Sequence, residues 1–148
     1  MRHSIIAFAI TALTTIVNGQ ELPDGPGKAA VQKVCTDCHG LATVIGVRRT
    51  RDDWDKTIDE MTSRGATGTD EEFDTILAYL SKYFGKVNVN KAKPEEIQEI
   101  VGLSTADAEA IVRYRAANGD FKDMGDLRKI PNIDAKKLEE RKDRIAFQ

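Results

Sequence analysis

Five consecutive residues constrain this chain more than any other stretch: Cys35, Thr36, Asp37, Cys38 and His39. Both cysteines of the protein fall there, with the only histidine beyond residue 3. Two thiols three positions apart lie on one side of a helical turn, so both can add to the vinyl groups of a single porphyrin. The imidazole that follows is then placed under the iron. The spacing predicts covalent attachment of one c-type haem. A zinc site would need two further ligands, and no other cysteine supplies them. A redox dithiol would call for the strand-then-helix setting of a thioredoxin.

The N-terminus bears on the same chemistry. Arg2 and His3 precede an almost wholly apolar or small-residue run from Ser4 to Val17, and Val17-Asn18-Gly19 offers residues that a signal peptidase reads. The run predicts a secretory signal peptide over residues 1–19. It falls short of the ~20 residues that span a bilayer, and no other stretch reaches that length, so no membrane span is expected after cleavage. The expected location is periplasmic or otherwise exported, in a bacterium. Haem attachment of the c type is completed outside the cytoplasm in bacteria, in keeping with that leader.

Residues 20–85 read as a haem-binding unit. Val31, Val34, Cys35 and Cys38 recur at i, i+3, i+4 and i+7, which predicts one helical face carrying the thioethers. Leu41 to Val47 reads as a loop lining the haem edge. Arg48, Arg49 and Arg51 follow as candidates for a propionate, because a guanidinium matches a carboxylate with two hydrogen bonds. Thr50 caps a helix expected from about Arg51 to Arg64, with Trp54, Ile58 and Met61 on one face. Trp54 and Ile58 are candidates for packing on the haem. His39 supplies one axial ligand. Beyond the leader only Met61 and Met124 offer a thioether, and Met124 falls in a separate half, so Met61 is the candidate sixth ligand. The alternative is an open or water-bound iron, which would suit a haem enzyme or gas sensor. Thr69 and Glu72 form a capping box for a third helix with Phe73, Ile76, Leu77, Leu80 and Phe84 as its buried stripe.

With these residues in place, the segment from about Gly27 to Gly85 resembles a small monohaem cytochrome c of the class I type, in particular the short cytochrome domains paired with periplasmic dehydrogenases. The resemblance implies a small helical haem domain and electron transfer to redox partner proteins, a periplasmic dehydrogenase or oxidase among them. Residues 20–85 carry 8 basic and 12 acidic side chains, which predicts a partner with a basic rim. No nucleophile–base pair, phosphate loop or paired carboxylates stand out, so a carrier rather than an enzyme is expected.

Residues 86–148 read differently. Lys86 to Lys93 is a short polar junction with a Val/Asn alternation. Pro94 suits the first position of a helix ending near Val101. Ser104 or Thr105 caps a longer helix to about Ala117, Asp123 caps a short one, and Asp134 caps a last helix ending near Ile145. Ile100-Val101-Gly102-Leu103-Ser104 matches Ile130-Pro131-Asn132-Ile133-Asp134 at an offset of thirty residues. Each copy is a short helix, a tight apolar hairpin and a second helix, so the two are expected to share one core.

This pattern resembles the tandem helix-hairpin-helix domain of ComEA-like competence DNA receptors. The matching residues include Val87-Asn88-Val89-Asn90-Lys91-Ala92, Ala110 to Arg115, Gly119-Asp120-Phe121 and Asp126-Leu127. The resemblance implies DNA-backbone contacts from the hairpins: Gly102, Leu103, Ser104, Asn132 and Ile133, with Lys136 and Lys137 adding charge. Where the family has hydrophobic-Gly-hydrophobic-Gly, the first hairpin keeps one glycine and the second keeps none, and Asp134 puts a negative charge beside the phosphate position. This half carries 13 basic and 12 acidic residues, whereas strong DNA binders are clearly basic. The whole chain has a net charge of −2, so nothing global calls for nucleic acid or an anionic membrane.

The expected architecture is therefore all-α: a leader over 1–19, a cytochrome c-like haem domain over 20–85 and a tandem helix-hairpin-helix domain over 86–148. The expected function is electron transfer, with the C-terminal module used for docking. The alternative is a competence-like DNA-binding protein that carries a haem.

Overall fold

The computed structural model describes residues 21–148; the leader expected over residues 1–19 lies outside them. Helix α1 spans Lys28–Cys35, α2 Ala42–Ile45, α3 Arg51–Ser63 and α4 Asp70–Tyr83. Strand β1 follows at Val87–Asn88, then α5 at Pro94–Val101, α6 at Thr105–Asn118, α7 at Met124–Leu127 and α8 at Ala135–Glu140. A single 3-10 turn at Lys142–Arg144 leads into strand β2, Ile145–Ala146.

The buried apolar side chains form two clusters. In the first, Val31 and Val34 of α1, Trp54 of α3 and Ile76, Leu77 and Leu80 of α4 pack together, with Leu22 and Val44 closing the edges. Helix α4 is the common wall, packed on both α1 and α3. Its start is fixed by the capping box: Thr69 accepts from the Glu72 N–H while Glu72 accepts from the Thr69 N–H at 2.9 Å. Gly27 (φ 97°) sits where α1 meets α4, and a Cβ there would lie 2.7 Å from the Tyr79 Cβ and 2.9 Å from the Thr75 carbonyl. Tyr79 also pins the lead-in, donating to the Pro23 carbonyl at 2.5 Å.

The second cluster holds Val87, Val89, Ile97, Val101, Ile111, Leu127, Leu138 and Ile145. The thirty-residue offset shows here as paired burial. Ile97 and Leu127 are fully buried, as are Ala108 and Leu138. Each hairpin begins on a left-handed residue, Gly102 at φ 80° and Asn132 at φ 60°. Asparagine is one of the few side chains that tolerates that region, so the second copy keeps the turn without its glycine.

The architecture is mostly helical rather than all-α. β1 pairs in parallel with β2, with Val87 opposite Ile145 and Asn88 opposite Ala146. The segment expected to be a mere junction is thus an element of the second core. The last helix stops at Glu140 and not near Ile145, because the chain must turn back and extend for Ile145 to meet Val87. The expected loop at 41–47 contains a helical turn, α2. Helix α1 ends at Cys35, so Cys38 lies in the turn after it rather than on the same helical face.

The two clusters meet at the segment Arg48–Thr50. The Arg49 N–H donates to the Phe84 carbonyl at 3.2 Å, and the Lys86 N–H donates to the Arg49 carbonyl at 2.7 Å. Arg48 donates to the Tyr83 carbonyl at 3.0 Å and pairs with Asp143 at 2.6 Å. Gly85 lies so tightly over the Ser81 carbonyl that no Cβ fits. Among the described residues no helix is long and apolar enough to cross a membrane.

Candidate functional site

A cavity of about 600 Å³ opens beside α1, α3 and α4, within the range that takes a drug-sized ligand. Val34, Val44, Val47, Ile58, Ile76 and Leu80 give it apolar walls. Cys35, Cys38 and His39 line it, as do Trp54 and Met61. Val47, at 39% exposure, is the exposed large apolar side chain among the described residues, and it lies on this cavity's wall. Arg49, Lys56 and Arg64 bring positive charge to the lining, with Asp53 and Glu60 beside them.

The individual groups suit a haem. Both thiols are free, Cys35 half-buried and Cys38 exposed. Burial pushes the Cys35 thiol up from its ordinary range. Since the thiolate is the reactive form, iodoacetamide at neutral pH is expected to alkylate Cys38 before Cys35 in protein lacking haem, as peptide mass mapping over time would show. Equal rates would contradict the burial. His39 Nδ1 lies 3.3 Å from the Gly40 carbonyl. That contact suits the tautomer with its proton on Nδ1, in which the Nε2 lone pair would be left for a metal. Met61 is half-buried in the third turn of α3. Met124 packs against the second core instead. Among the described residues no three His, Cys, Asp or Glu side chains are grouped to hold a bare metal ion.

The three arginines separate. Arg49 lines the cavity, its guanidinium 5.7 Å from the centre of the Trp54 ring. Arg48 is turned to Tyr83 and Asp143, where it serves the junction. Arg51 is exposed at the first position of α3 and does not line the cavity. Sequence reasoning missed Lys56 and Arg64; Arg64, three residues after Met61, follows the helical period, whereas Lys56, five before it, does not. The Trp54 indole is buried and donates to the Phe84 carbonyl at 3.1 Å, so its N–H is already spent.

The hairpin residues form a second face. Ser104 caps α6 and Asp134 caps α8, each accepting from the N–H three residues on, Asp107 and Lys137. Leu103 is buried and Ile133 half-buried, while Gly102 and Asn132 are exposed at the tips. Lys136 is paired with Glu140 at 3.9 Å. Lys137 is half-buried with no ion pair among the described residues. Lys129 lies on Asp126, Lys142 on Glu139, and Arg144 on the Ile100 carbonyl. Much of the basic charge is therefore compensated within the module.

Comparison with known proteins speaks to this second half. The helix-hairpin-helix motif family matches residues 82–146. ComE operon protein 1 of Bacillus subtilis is 42% identical over 62 residues, which are 42% of this chain and 30% of that protein. A protein of Haemophilus influenzae named only as uncharacterized is 40% identical over 63 residues, 42% of this chain and 56% of its own length. Endonuclease/exonuclease/phosphatase family domain-containing protein 1 of Danio rerio is 39% identical over 62 residues, 42% of this chain and 10% of that protein. The chain thus spans at most 56% of these relatives. No solved structure matches. The C-terminal module is a ComEA-like tandem helix-hairpin-helix domain, and the Cys35–His39 segment lies outside the family match.

Proposed function

We propose that this protein is an exported monohaem electron carrier, with haem c joined through Cys35 and Cys38. One observation carries the reading: the segment Cys35–His39 and Met61, separated by a turn and a helix, line the same apolar cavity. His39 and Met61 would hold the iron, the first through Nε2 and the second through its thioether. Arg49, with Lys56 and Arg64, would meet the propionates, and Trp54 and Ile58 would pack on the ring. A haem so held supplies a one-electron couple. The chain's own part would be to exclude water with its apolar walls and to hold the iron with two side chains, which would favour electron transfer over substrate turnover. Its partners would be redox proteins, a periplasmic dehydrogenase or oxidase by chemistry.

The test is expression of the full chain, leader included, in a host that matures c-type cytochromes. Intact mass of the exported protein is expected to show one added haem that survives denaturation. Serine at both cysteines is expected to abolish it. Recovery of an exported, folded chain with no covalent haem would sink the proposal.

A second reading is favoured by the family match over residues 82–146: the module contacts nucleic acid through its hairpins, so that the protein is a nucleic-acid-binding one carrying a haem. Two turns led by Gly102 and Asn132, each opening a helix N-terminus, support it. Binding of a short DNA duplex to the full chain at low salt, followed by fluorescence anisotropy, separates the two readings.

A further inference from the structure

Two neighbouring arginines, Arg48 and Arg49, serve different halves of the molecule. Their backbone is extended and bridges in parallel to Gly85, so the two side chains leave on opposite sides. The Arg49 guanidinium stands over the Trp54 ring on the cavity wall. The Arg49 N–H and the Trp54 indole N–H share one acceptor, the Phe84 carbonyl. Arg49 is exposed, so its place over the ring depends on that backbone. Arg48 leaves toward the second core, where it is half-buried, donates to the Tyr83 carbonyl and pairs with Asp143 at 2.6 Å. A second cation stands close by. Arg144 donates to the Ile100 carbonyl at 3.0 Å, and burial, followed by the charge of Arg48, holds its pKa below the usual range. Asp143 therefore balances two like charges that would otherwise repel. Ile145, two residues on, is fixed opposite Val87, so Asp143 is carried on a part of the second core that is itself held in register.

We propose that Asp143, although it belongs to the helix-hairpin-helix module, is a positioning residue for the cavity: by holding Arg48 it fixes the backbone that places Arg49, the cation that meets an occupant's carboxylate. The occupant is haem, and for that the inference rests on the electron-carrier reading. Without the Asp143 charge, Arg48 faces Arg144 uncompensated and is driven from the seam. The extended segment moves with it and carries Arg49 off the Trp54 ring. Trp54 is the one tryptophan of the chain, so its fluorescence reports this movement with no haem present.

The test is a double-mutant cycle on the haem-free full chain: parent, Asp143→Asn, Arg49→Gln and the two combined. Asp143→Glu restores the charge, and Asp120→Asn, exposed in the turn after α6, changes net charge equally. Two quantities are measured, acrylamide quenching of Trp54 and affinity for added ferric protoporphyrin IX. Thermal melts check that every variant is folded. Asp143→Asn is expected to weaken porphyrin binding roughly two- to fivefold, the range an exposed ion pair commands, and to make Trp54 more easily quenched. Asp143→Glu and Asp120→Asn are expected to match the parent. In the Arg49→Gln background, Asp143→Asn is expected to add nothing to either quantity, because coupled residues are not additive. The same loss in both backgrounds would show that Asp143 acts on stability and not through Arg49, and would overturn the inference. So would parent-like quenching and affinity in Asp143→Asn, or an equal loss in Asp120→Asn. A parent that takes up no porphyrin would tell against the electron-carrier reading, and the quenching cycle alone would then decide whether Asp143 positions Arg49.

Discussion

If Met61 holds a haem iron as proposed, alanine there is expected to lower the reduction potential by roughly 0.1–0.3 V, a fraction of the ~0.8 V range that haem ligands command. The cause is the loss of a thioether that favours ferrous iron. If haem is held as proposed, the same variant is expected to bind exogenous imidazole or cyanide far more tightly than the parent, because the thioether would no longer hold the iron beside the cavity lined by Ile58, Ile76 and Leu80. Met61 is half-buried on the cavity wall and lies outside the buried apolar cluster, so the fold should survive the change. Potentiometric titration and ligand difference spectra read both effects. A parent that already takes cyanide as fast as Met61→Ala does would identify an open iron, and with it the sensor or enzyme alternative.

The largest expected loss of stability is at Trp54. The side chain is 2% exposed, lines the cavity and donates to the Phe84 carbonyl across 30 residues of chain. Trp54→Ala should cost about 3–5 kcal/mol through lost burial and the cavity left behind, lowering the unfolding midpoint of the haem-free chain by roughly 10–20 °C. Trp54→Phe keeps most of the apolar contact and gives up the N–H donor. Its cost should be about 1–2 kcal/mol, softened because the Phe84 carbonyl still accepts from the Arg49 N–H. Calorimetry on the three proteins ranks them. A tolerance of Trp54→Ala to within ~1 kcal/mol would mean that the indole holds neither the cavity wall nor the junction.

What the sequence made legible was local. Thr50, Thr69, Ser104, Asp123 and Asp134 are N-caps in the structure as their spacing suggested, since a cap is decided by residues three apart. The duplicated hairpin was legible for the same reason, and the family match over residues 82–146 agrees with it. What escaped was set at long range. The β1–β2 pair joins Val87 to Ile145 with two residues a side, too short for any alternation to reveal. The stop of α8 at Glu140 follows from that pairing and not from a breaker in the sequence. Arg48 and Arg49 are adjacent and chemically identical, yet extended backbone sends one to Asp143 and the other to the cavity. The bridge from Asp107 to the Asp134 N–H joins two copies of the repeat and was invisible to a comparison that treated each copy alone.

The parallel pairing of Val87 with Ile145 has a consequence for how such a module travels. The first and last strands of the second core lie side by side and run in the same direction, so the segment 87–146 closes its core with its own two ends. A unit whose first and last residues pair within its own core depends little on what is joined to either end. Comparable stretches of 62 or 63 residues make up 30%, 56% and 10% of three differently sized relatives. In this chain the unit is joined to its neighbour by the Arg48–Asp143 pair, by the Arg49 backbone bonds to Phe84 and Lys86, and by the packing of α4 on α5.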